Sequence, residues 1–335
     1  MSRFLDVDDL SCDQLQEVLA LAETPAAELA PVLAGRGVAL LFEKPSARTR
    51  SSAEMAVVAL GGHPVYVQGA DVGIDVREPA EDVARTLACY HAAICARVLE
   101  HRTLLRMAGA LEDAAGHRWP GPDDGVGVGT AAVVNLLSDR AHPCQALADL
   151  LTLRQVLGGL GGRTVAYVGD ANNVWRSLAK ATAMVGMQLR TASPEGYGPD
   201  AEELSQLSLL GADLEVTDDP LEAAAGADAL YTDVWTSMGQ EDEAELRRSA
   251  FEGFRVDQRL LDAAAPTAVV LHCLPAHRGE EITAEVLEGP RSAVWRQAAN
   301  RAHAMRGLLA FLLGPGSGGG AVASPASNGL EVTGR

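Results

Sequence analysis

Short apolar runs alternate with segments of helical periodicity through the first half of the chain. The run Gly37–Phe42 is almost uniformly apolar and suits a buried strand. Three similar runs follow it, at residues 64–67, 92–98 and 131–135. Helical spacing of apolar residues predicts a first helix after Asp8. It also predicts helices that alternate with these strands, at residues 51–60, 80–90 and 144–157. Strands that alternate with helices in this way predict a parallel sheet with helices on its faces.

A second series of the same kind begins at Thr164–Val168, after the glycine-rich segment 157–162, which we interpret as a linker. A helix to about residue 185 follows, and then four further strand candidates, at residues 188–192, 214–217, 229–233 and 268–272. The sequence therefore predicts an α/β protein with two domains, each a parallel sheet flanked by helices. Two segments lie outside this pattern: residues 111–129 are predicted to form a surface insertion, and the glycine- and serine-rich residues 314–335 a flexible tail.

Composition and charge narrow the possible functions. Among 335 residues, 27 are basic and 45 are acidic, and the net charge of -18 argues against binding to nucleic acid or to an anionic membrane surface. The five cysteines are scattered without a CxxC pair, which indicates neither a disulfide framework nor a zinc ribbon and favours a reducing cytoplasm. The N-terminus lacks the features of a signal peptide, and no apolar run approaches the roughly 20 residues that span a bilayer.

In this acidic chain, a cluster of basic side chains stands out where a predicted strand meets a predicted helix. Residues 42–50 read Phe-Glu-Lys-Pro-Ser-Ala-Arg-Thr-Arg. A helix N-terminus offers free backbone N–H groups and the positive end of the helix dipole. The hydroxyls of Ser46 and Thr49 and the guanidinium groups of Arg48 and Arg50 add donors for phosphate oxygens. We interpret the segment as an anion site; the alternative is a solvated helix cap with surface arginines.

A second junction of strand and helix holds a histidine and a glutamine. Residues 139–149 contain His142-Pro-Cys-Gln145, and Pro143 at an early helical position fixes the turn. His142 and Gln145 are then expected to face the end of the sheet, where both can donate to one carbonyl oxygen in an oxyanion-hole arrangement. The alternative is a histidine that serves only as a structural cap.

Residues 272–282 follow the last predicted strand and contain His272, Cys273 and His277. These three side chains suggest a metal site. A structural zinc site needs four ligands, however, and nothing nearby in the sequence completes the set. Zinc is therefore the weaker interpretation.

Two further strand ends bear on function. Asp233 follows residues 229–232 and is placed to pair with an ammonium group. Gly169 is the only glycine in the turn after Thr164–Val168, so the GxGxxG pattern of dinucleotide-binding folds is missing. The sequence thus argues against a nicotinamide cofactor.

Taken together, four motifs resemble those of the carbamoyltransferase family, and within it the branch that acts on ornithine. The motifs are Ser46-Ala-Arg-Thr-Arg50, His142-Pro-Cys-Gln145, residues 233–239 and His272-Cys-Leu-Pro275, and the similarity runs from about Phe4 to Leu313. The resemblance implies a carbamoyl-phosphate domain made of residues 1–150 with a returning C-terminal helix at 298–313. It further implies an ornithine domain made of residues 151–297, and a homotrimer.

The resemblance also implies roles for individual residues. Those that match the carbamoyl-phosphate site are Ser46, Ala47, Arg48, Thr49, Arg97, His142, Gln145, Cys273, Leu274 and Arg301. Those that match the ornithine site are Asn173, Asp233, Ser237 and Met238. Among all of these, the expected catalytic residues are Arg97, His142, Asp233 and Cys273, with no metal or cofactor.

The implied reaction moves the carbamoyl group of carbamoyl phosphate to the δ-amino group of L-ornithine, giving L-citrulline and phosphate in arginine biosynthesis. Aspartate carbamoyltransferase is the nearest alternative, because it shares the first two motifs, but it is expected to have basic residues for a second carboxylate, and residues 237–239 and 272–275 favour ornithine. Transferases for acetylornithine, succinylated ornithine or putrescine remain alternatives, because Trp175 and Arg176 replace smaller residues beside the expected amino-acid pocket. A non-catalytic anion-binding paralogue is a further alternative. It is suggested by Gly73, which stands where the family usually has a glutamine that reaches the neighbouring subunit.

Overall fold

The computed structural model describes residues 3–29, 32–114, 131–236 and 241–314, with two five-stranded sheets. None of the helices within these ranges combines the length and hydrophobicity that a membrane span requires. In both sheets every strand pairing is parallel. The prediction of two parallel sheets flanked by helices is therefore confirmed.

The first sheet has the strand order β1-β5-β4-β2-β3. Its strands are β1 (Arg3–Phe4), β2 (Gly37–Phe42), β3 (His63–Gln68), β4 (His91–Arg97) and β5 (Ala132–Leu137). The helices in this part of the chain are α1 (Cys12–Glu23), α2 (Ala26–Leu29), α3 (Ala47–Ala59), α4 (Gly69–Val72), α5 (Ala80–Ala88), α6 (His101–Ala114) and α7 (Pro143–Leu157). A 3-10 helix spans Val7–Asp9. Strands β2, β4 and β5 are central and almost wholly buried, as expected for apolar strands covered on both faces.

The second sheet has the order β10-β9-β6-β7-β8. Its strands are β6 (Thr164–Val168), β7 (Gln188–Ala192), β8 (Asp213–Thr217), β9 (Ala229–Thr232) and β10 (Val269–His272). The helices are α8 (Asn173–Met184), α9 (Ala201–Leu209), α10 (Pro220–Ala224), α11 (Ala244–Ala250), α12 (Gln258–Ala263), α13 (Ala284–Leu287) and α14 (Val294–Leu313), and a 3-10 helix spans Glu241–Glu243. Helix α7 ends at Gly158, whose left-handed φ of 73° stops it just before β6.

Strand positions follow the hydrophobic pattern closely. Three predicted strands have the observed bounds, Gly37–Phe42, Thr164–Val168 and Gln188–Ala192, and the others differ by at most two residues at an end. The predicted insertion at 111–129 is wrong at its start, because α6 continues through Ala114. The rest of that segment lies outside the described residues, as does all of the predicted tail except Gly314.

The last helix returns across the molecule to the first sheet. Helix α14 packs on α1, α3 and α7, and its residues Met305, Leu308 and Leu309 belong to the core that these helices share. Gly307 makes the approach possible, since a Cβ there would lie 2.6 Å from the Ala22 nitrogen and 2.6 Å from the Val18 oxygen of α1. The close packing of two helix backbones therefore depends on the missing side chain.

We expect Gly307→Ala to lower the free energy of unfolding by about 1–3 kcal/mol, because one extra methyl group forces α14 away from α1. Gly109→Ala is the matched control. A Cβ at Gly109 meets nothing within 4 Å, so this change in α6 should raise stability by about 0.5–1 kcal/mol through helix propensity alone. Urea unfolding followed by circular dichroism measures both, and equal effects of the two substitutions would contradict the packing argument.

Candidate active site

The main cavity lies where the carboxyl ends of both sheets face each other, with a volume of about 860 Å³. Ligands of parallel α/β sheets bind at this edge, because the loops after the strands converge there. The first domain contributes the segments that follow β2, β4 and β5, and the second domain those that follow β6, β9 and β10. A smaller cavity of about 280 Å³ adjoins it and shares Arg48, Cys273 and Arg301 in its lining.

The N-terminus of α3 forms one wall of the main cavity. Ser46 caps the helix, accepting a hydrogen bond from the Thr49 N–H at 3.4 Å, and its own hydroxyl donates to Thr49 Oγ1 at 3.1 Å. Ala47 and Arg48 occupy the first turn, where backbone N–H groups have no partner within the helix. The residues predicted to bind an anion therefore lie together at a helix N-terminus, with hydroxyl and guanidinium donors around it.

Three arginines converge on this wall without a carboxylate. Arg48 is exposed on α3, whereas Arg97 at the end of β4 and Arg301 on α14 are buried. None of the three forms an ion pair with any acidic side chain in the described ranges. Burial and the two neighbouring guanidinium groups lower the pKa of Arg97 to about 10, and burial also lowers the pKa of Arg301. An anion with two negative charges would relieve this repulsion, so the geometry favours a phosphate group.

His142 lies beside the arginines as a neutral imidazole. Burial, and after it the charges of Arg301, Arg97 and Arg48, hold the pKa of His142 well below its usual value. Its Nε2 lies 3.3 Å from Arg301 Nη1, which can only donate, so Nε2 accepts and the proton sits on Nδ1. Nδ1 is buried without a hydrogen-bond partner in the described part of the chain. The ring thus holds a free N–H donor suited to a carbonyl oxygen.

Gln145 behaves differently from the sequence-based expectation. Its Nε2 donates to Asp149 Oδ1 at 2.7 Å, and its Oε1 accepts a hydrogen bond from Arg301 Nη1. The side chain lines the smaller cavity with its oxygen on the Arg301 side. The interpretation that His142 and Gln145 donate jointly to one carbonyl is wrong in this structure, because the Gln145 amide presents an acceptor where a donor was expected.

A carboxylate and a thiol form the opposite wall. Asp233 Oδ1 accepts from Cys273 Sγ at 2.8 Å and from the Val234 N–H at 2.8 Å, while Oδ2 accepts from Asn172 Nδ2 at 2.9 Å. Burial, and next the charge of Asp233, raise the pKa of Cys273 well above that of a free cysteine, so the residue is a thiol. No Lys or Arg of the described segments pairs with Asp233. The carboxylate is thus placed to receive a cationic group of a ligand.

The loop after β10 is held by a buried histidine rather than by a metal. His272 Nδ1 accepts from the Leu274 N–H at 2.8 Å, so its Nε2 carries the proton and donates to Glu281 Oε1 at 2.9 Å. Glu281 also accepts from the His277 N–H at 2.6 Å. Asp233, His272 and Cys273 bring possible ligand atoms within 4.8 Å of one another, but both ring nitrogens of His272 are already engaged. His272 instead supports the left-handed Leu274, with φ 61°.

Most of the predicted site residues meet in one place. The main cavity is lined by Ser46, Ala47, Arg48, Thr49, Arg97, His142, Asn173, Asp233, Cys273, Leu274 and Arg301. Ser237 and Met238 lie outside the described residues. Asn173 reaches across to the first domain, where its Nδ2 donates to the Ser138 carbonyl at 2.7 Å. Its neighbour Asn172, which the sequence analysis did not identify, caps α8 and donates from its Nδ2 to Asp233; its only signal in the sequence was the Asn-Asn pair at the start of that helix.

The expectation that Trp175 lies beside the amino-acid pocket is wrong. Trp175 lies on the buried face of α8, and its Nε1 donates to Thr191 Oγ1 of β7 at 2.8 Å. Arg176 does line the cavity, but it is paired with Glu203 on α9. Gly73 has a left-handed φ of 67° at the end of α4, a conformation that a side chain such as glutamine would strain.

Comparisons with known proteins agree with this geometry. A family model described as aspartate/ornithine carbamoyltransferase, carbamoyl-P binding domain, matches residues 2–155, and the corresponding Asp/Orn binding domain matches residues 161–312. An ornithine carbamoyltransferase from Acidothermus cellulolyticus is 48% identical over 324 residues, covering 95% of this chain and 98% of that protein. One from Thermus thermophilus is 48% identical over 311 residues, covering 92% of this chain and 96% of that protein.

Solved structures give the same result. The crystal structure of ornithine carbamoyltransferase from Thermus thermophilus has a TM-score of 0.81 at 45% identity, covering 93% of this chain and 99% of that chain. The enzyme of the same name from Pyrococcus furiosus has a TM-score of 0.83 at 39% identity, covering 93% of this chain and 97% of that chain.

We expect Arg48→Ala to weaken binding of inorganic phosphate by about tenfold or more, because a charged donor to the anion is lost. Arg50→Ala is the matched control on the same helix. Arg50 pairs with Glu54 at 2.8 Å and lies 3.7 Å above the Tyr66 ring, so its loss should change the affinity by less than about threefold. Isothermal titration calorimetry measures both affinities. Similar losses in both variants would indicate a diffuse field of positive charge rather than a phosphate contact at Arg48.

Proposed function

Because the chain belongs to the aspartate/ornithine carbamoyltransferase family, we propose that it transfers the carbamoyl group of carbamoyl phosphate to the δ-amino group of L-ornithine, giving L-citrulline and phosphate. The observation that carries the proposal is the charge arrangement of the main cavity. One side is lined by Arg48, Arg97 and Arg301, which form no ion pair within the described residues, and the carboxylate of Asp233 lies on the other. A dianionic donor and a cationic acceptor suit these two sides.

On the first side, the phosphate of carbamoyl phosphate binds at the N-terminus of α3, with Ser46, Ala47, Arg48 and Thr49 and with Arg97 and Arg301. The His142 Nδ1–H donates to the carbonyl oxygen, and Gln145 Oε1 accepts from the carbamoyl NH₂ group. Cys273 and Leu274 close the site from the loop after β10. Each polar atom of the carbamoyl group thus meets a group of the opposite hydrogen-bonding character.

The chemical step is attack of a neutral amine on the carbamoyl carbon. The new C–N bond forms as the C–O bond to phosphate breaks, and the departing phosphate gains the charge that the arginines stabilise. One proton must leave the amine. His142 is neutral with its proton on Nδ1, and Cys273 already holds its proton toward Asp233, so neither residue is a ready base. The leaving phosphate is the proton acceptor, and the products are citrulline and phosphate.

On the second side, Asp233 pairs with the α-ammonium group of ornithine, and Cys273 and Asn172 hold the carboxylate for it. Asn173 contributes its amide, and Ser237 and Met238 complete the ornithine contacts. The δ-amine of free ornithine is mostly protonated at neutral pH, so the site selects the small neutral fraction. Three guanidinium groups against a phosphate dianion leave an excess of positive charge nearby, which disfavours a second cation and so favours the neutral amine.

The arginines on the second side argue against aspartate as the acceptor. A second substrate carboxylate would need an unpaired cation there. Arg176 pairs with Glu203, Arg247 with Asp170 and Glu243, and Arg248 with Glu245 and Glu280. Because Trp175 is absent from the lining, it gives no reason to expect a modified or shortened acceptor.

We also propose a cytoplasmic homotrimer that supplies citrulline for arginine biosynthesis, with the domains divided at residue 150 and the returning helix 298–313 belonging to the first. The trimer is supported by large apolar side chains left exposed on the first domain. These are Met55, Val58, Val76, Tyr90, Leu99 and Leu105. Contacts between subunits would remove these side chains from water.

A citrulline assay with carbamoyl phosphate and a panel of acceptors tests the function. We expect L-ornithine to exceed acetylornithine, succinylornithine, putrescine and aspartate by at least about a hundredfold in kcat/KM. The two acylated ornithines lack the free α-ammonium for Asp233, aspartate lacks the δ-amine, and putrescine lacks the α-carboxylate of the amino acid. Preference for another acceptor would contradict the substrate assignment. Phosphate binding without transfer to any acceptor would identify a non-catalytic paralogue.

A further inference from the structure

The reaction scheme gives no role to Asp149, a buried ionisable side chain next to the site. Asp149 lies on α7, one helical turn after Gln145, and its exposed fraction is 0%. Its Oδ1 accepts from Gln145 Nε2 at 2.7 Å and from Gln297 Nε2 at 2.7 Å, and its Oδ2 accepts from Tyr231 Oη at 3.1 Å. The three donors come from α7, α14 and β9, so this carboxylate joins both domains and the returning helix.

An ionised carboxylate can only accept hydrogen bonds. Each glutamine must therefore turn its NH₂ group toward Asp149 and its carbonyl oxygen away. Gln297 gives independent support for this orientation, because its Oε1 accepts from the backbone N–H of His272 at 2.9 Å, and a backbone N–H can only donate. The same logic turns Gln145 Oε1 toward Arg301, at the edge of the carbamoyl-phosphate site.

We propose that Asp149 is a positioning residue that sets the specificity for a carbamoyl group, by fixing Gln145 as a hydrogen-bond acceptor for the substrate NH₂. The inference rests on the proposed function. If Gln145 were free to flip, its own NH₂ would face the substrate NH₂, and two donors would meet in a buried site. The site would then show a weaker preference for carbamoyl phosphate over an acyl phosphate that has a methyl group in place of the NH₂.

The charge of Asp149 is consistent with this role at the pH of ordinary assays. Burial raises the pKa of Asp149 to about 6, while the hydrogen bonds from Gln145, Gln297 and Tyr231 and the nearby Arg301 act to lower it. The carboxyl group is therefore largely ionised near pH 8. The chain from Arg301 through Gln145 to Asp149 places an amide between a positive and a negative charge, which strengthens both of its hydrogen bonds.

A matched pair of stable ligands isolates the NH₂ contact. Phosphonoacetamide carries a phosphonate, a carbonyl and an NH₂ group, and 2-oxopropylphosphonate differs only in having a methyl group instead of the NH₂. Calorimetry at pH 8 gives the ratio of the two affinities for each variant. In the wild type we expect the amide to bind at least about tenfold more tightly than the ketone.

Asp149→Leu removes the acceptor, and we expect it to reduce that ratio at least about tenfold, mainly by weakening the amide. Asp149→Asn should keep the ratio within about threefold. Gln297, fixed by the His272 N–H, still requires an acceptor at the Oδ1 position, and the Tyr231 hydroxyl can accept from the new NH₂ group. Tyr231→Phe is the control, because it removes a hydrogen bond to the same carboxylate without touching Gln145; the ratio should again stay within about threefold.

A double-mutant cycle with Gln145→Leu completes the test. In the Gln145→Leu background, Asp149→Leu should have no further effect on the ratio, because the group that it positions is already gone. Equal loss of affinity for both ligands in Asp149→Leu, or an unchanged ratio, would overturn the inference. If Asp149→Leu does not fold, Asp149→Ala is judged by the same ratio. If neither folds while Asp149→Asn does, Asp149 is a folding requirement and the inference is also overturned.

Failure of the proposed function gives a different result. In that case the wild-type protein forms no citrulline from carbamoyl phosphate and ornithine. An active wild type whose ligand preference does not depend on Asp149 contradicts the positioning role alone.

Discussion

The site depends on three arginines that lie close together and form no ion pair with a carboxylate of the described residues. Arg97 and Arg301 are buried beside Arg48, and burial of like charges is unfavourable unless the fold holds them in place. Parallel strand β4 brings Arg97 to the edge of the first sheet, and helix α14, which follows all strands of the second sheet, returns to deliver Arg301. Thr49 and Gln145 then orient the Arg301 guanidinium with neutral oxygen atoms, so that its charge remains available to a ligand.

On the opposite side of the cavity the charge is negative, and it too is held by neutral groups. Asp233 is surrounded by neutral donors, namely the Cys273 thiol, the Asn172 amide and a backbone N–H, and by no cation of the described residues. The two sides thus keep their charges uncompensated until substrates arrive. His142 and Cys273, which could titrate between the two sides, are both neutral. The lowered pKa of His142 keeps its imidazole uncharged, and the raised pKa of Cys273 keeps its thiol protonated. A reaction in which the phosphate itself removes the proton is consistent with such a site.

The sequence predicted most of the scaffold because apolar runs determine buried parallel strands directly, and Gly37–Phe42 or Thr164–Val168 needed no tertiary information. Motif residues such as Arg48 and His142 were found because they follow those strands. What could not be predicted depended on distant partners. Asp149 looked like an ordinary helical residue, since Tyr231 and Gln297 are 82 and 148 positions away. The direction of the Gln145 amide follows from its contacts with Asp149 and with the distant Arg301. Trp175 was misplaced because sequence proximity to Asn173 does not show which face of α8 is buried.

The central claim is that one cavity has two sides of opposite charge, and that an anion bound by the arginines increases the affinity of the other side for ornithine. Isothermal titration of L-ornithine into the wild-type protein, with and without saturating phosphonoacetamide, tests this most directly. Neutralising the three arginines and bringing the domains together on the first ligand should make ornithine bind at least about tenfold more tightly in its presence. Equal ornithine affinity under the two conditions would contradict the account.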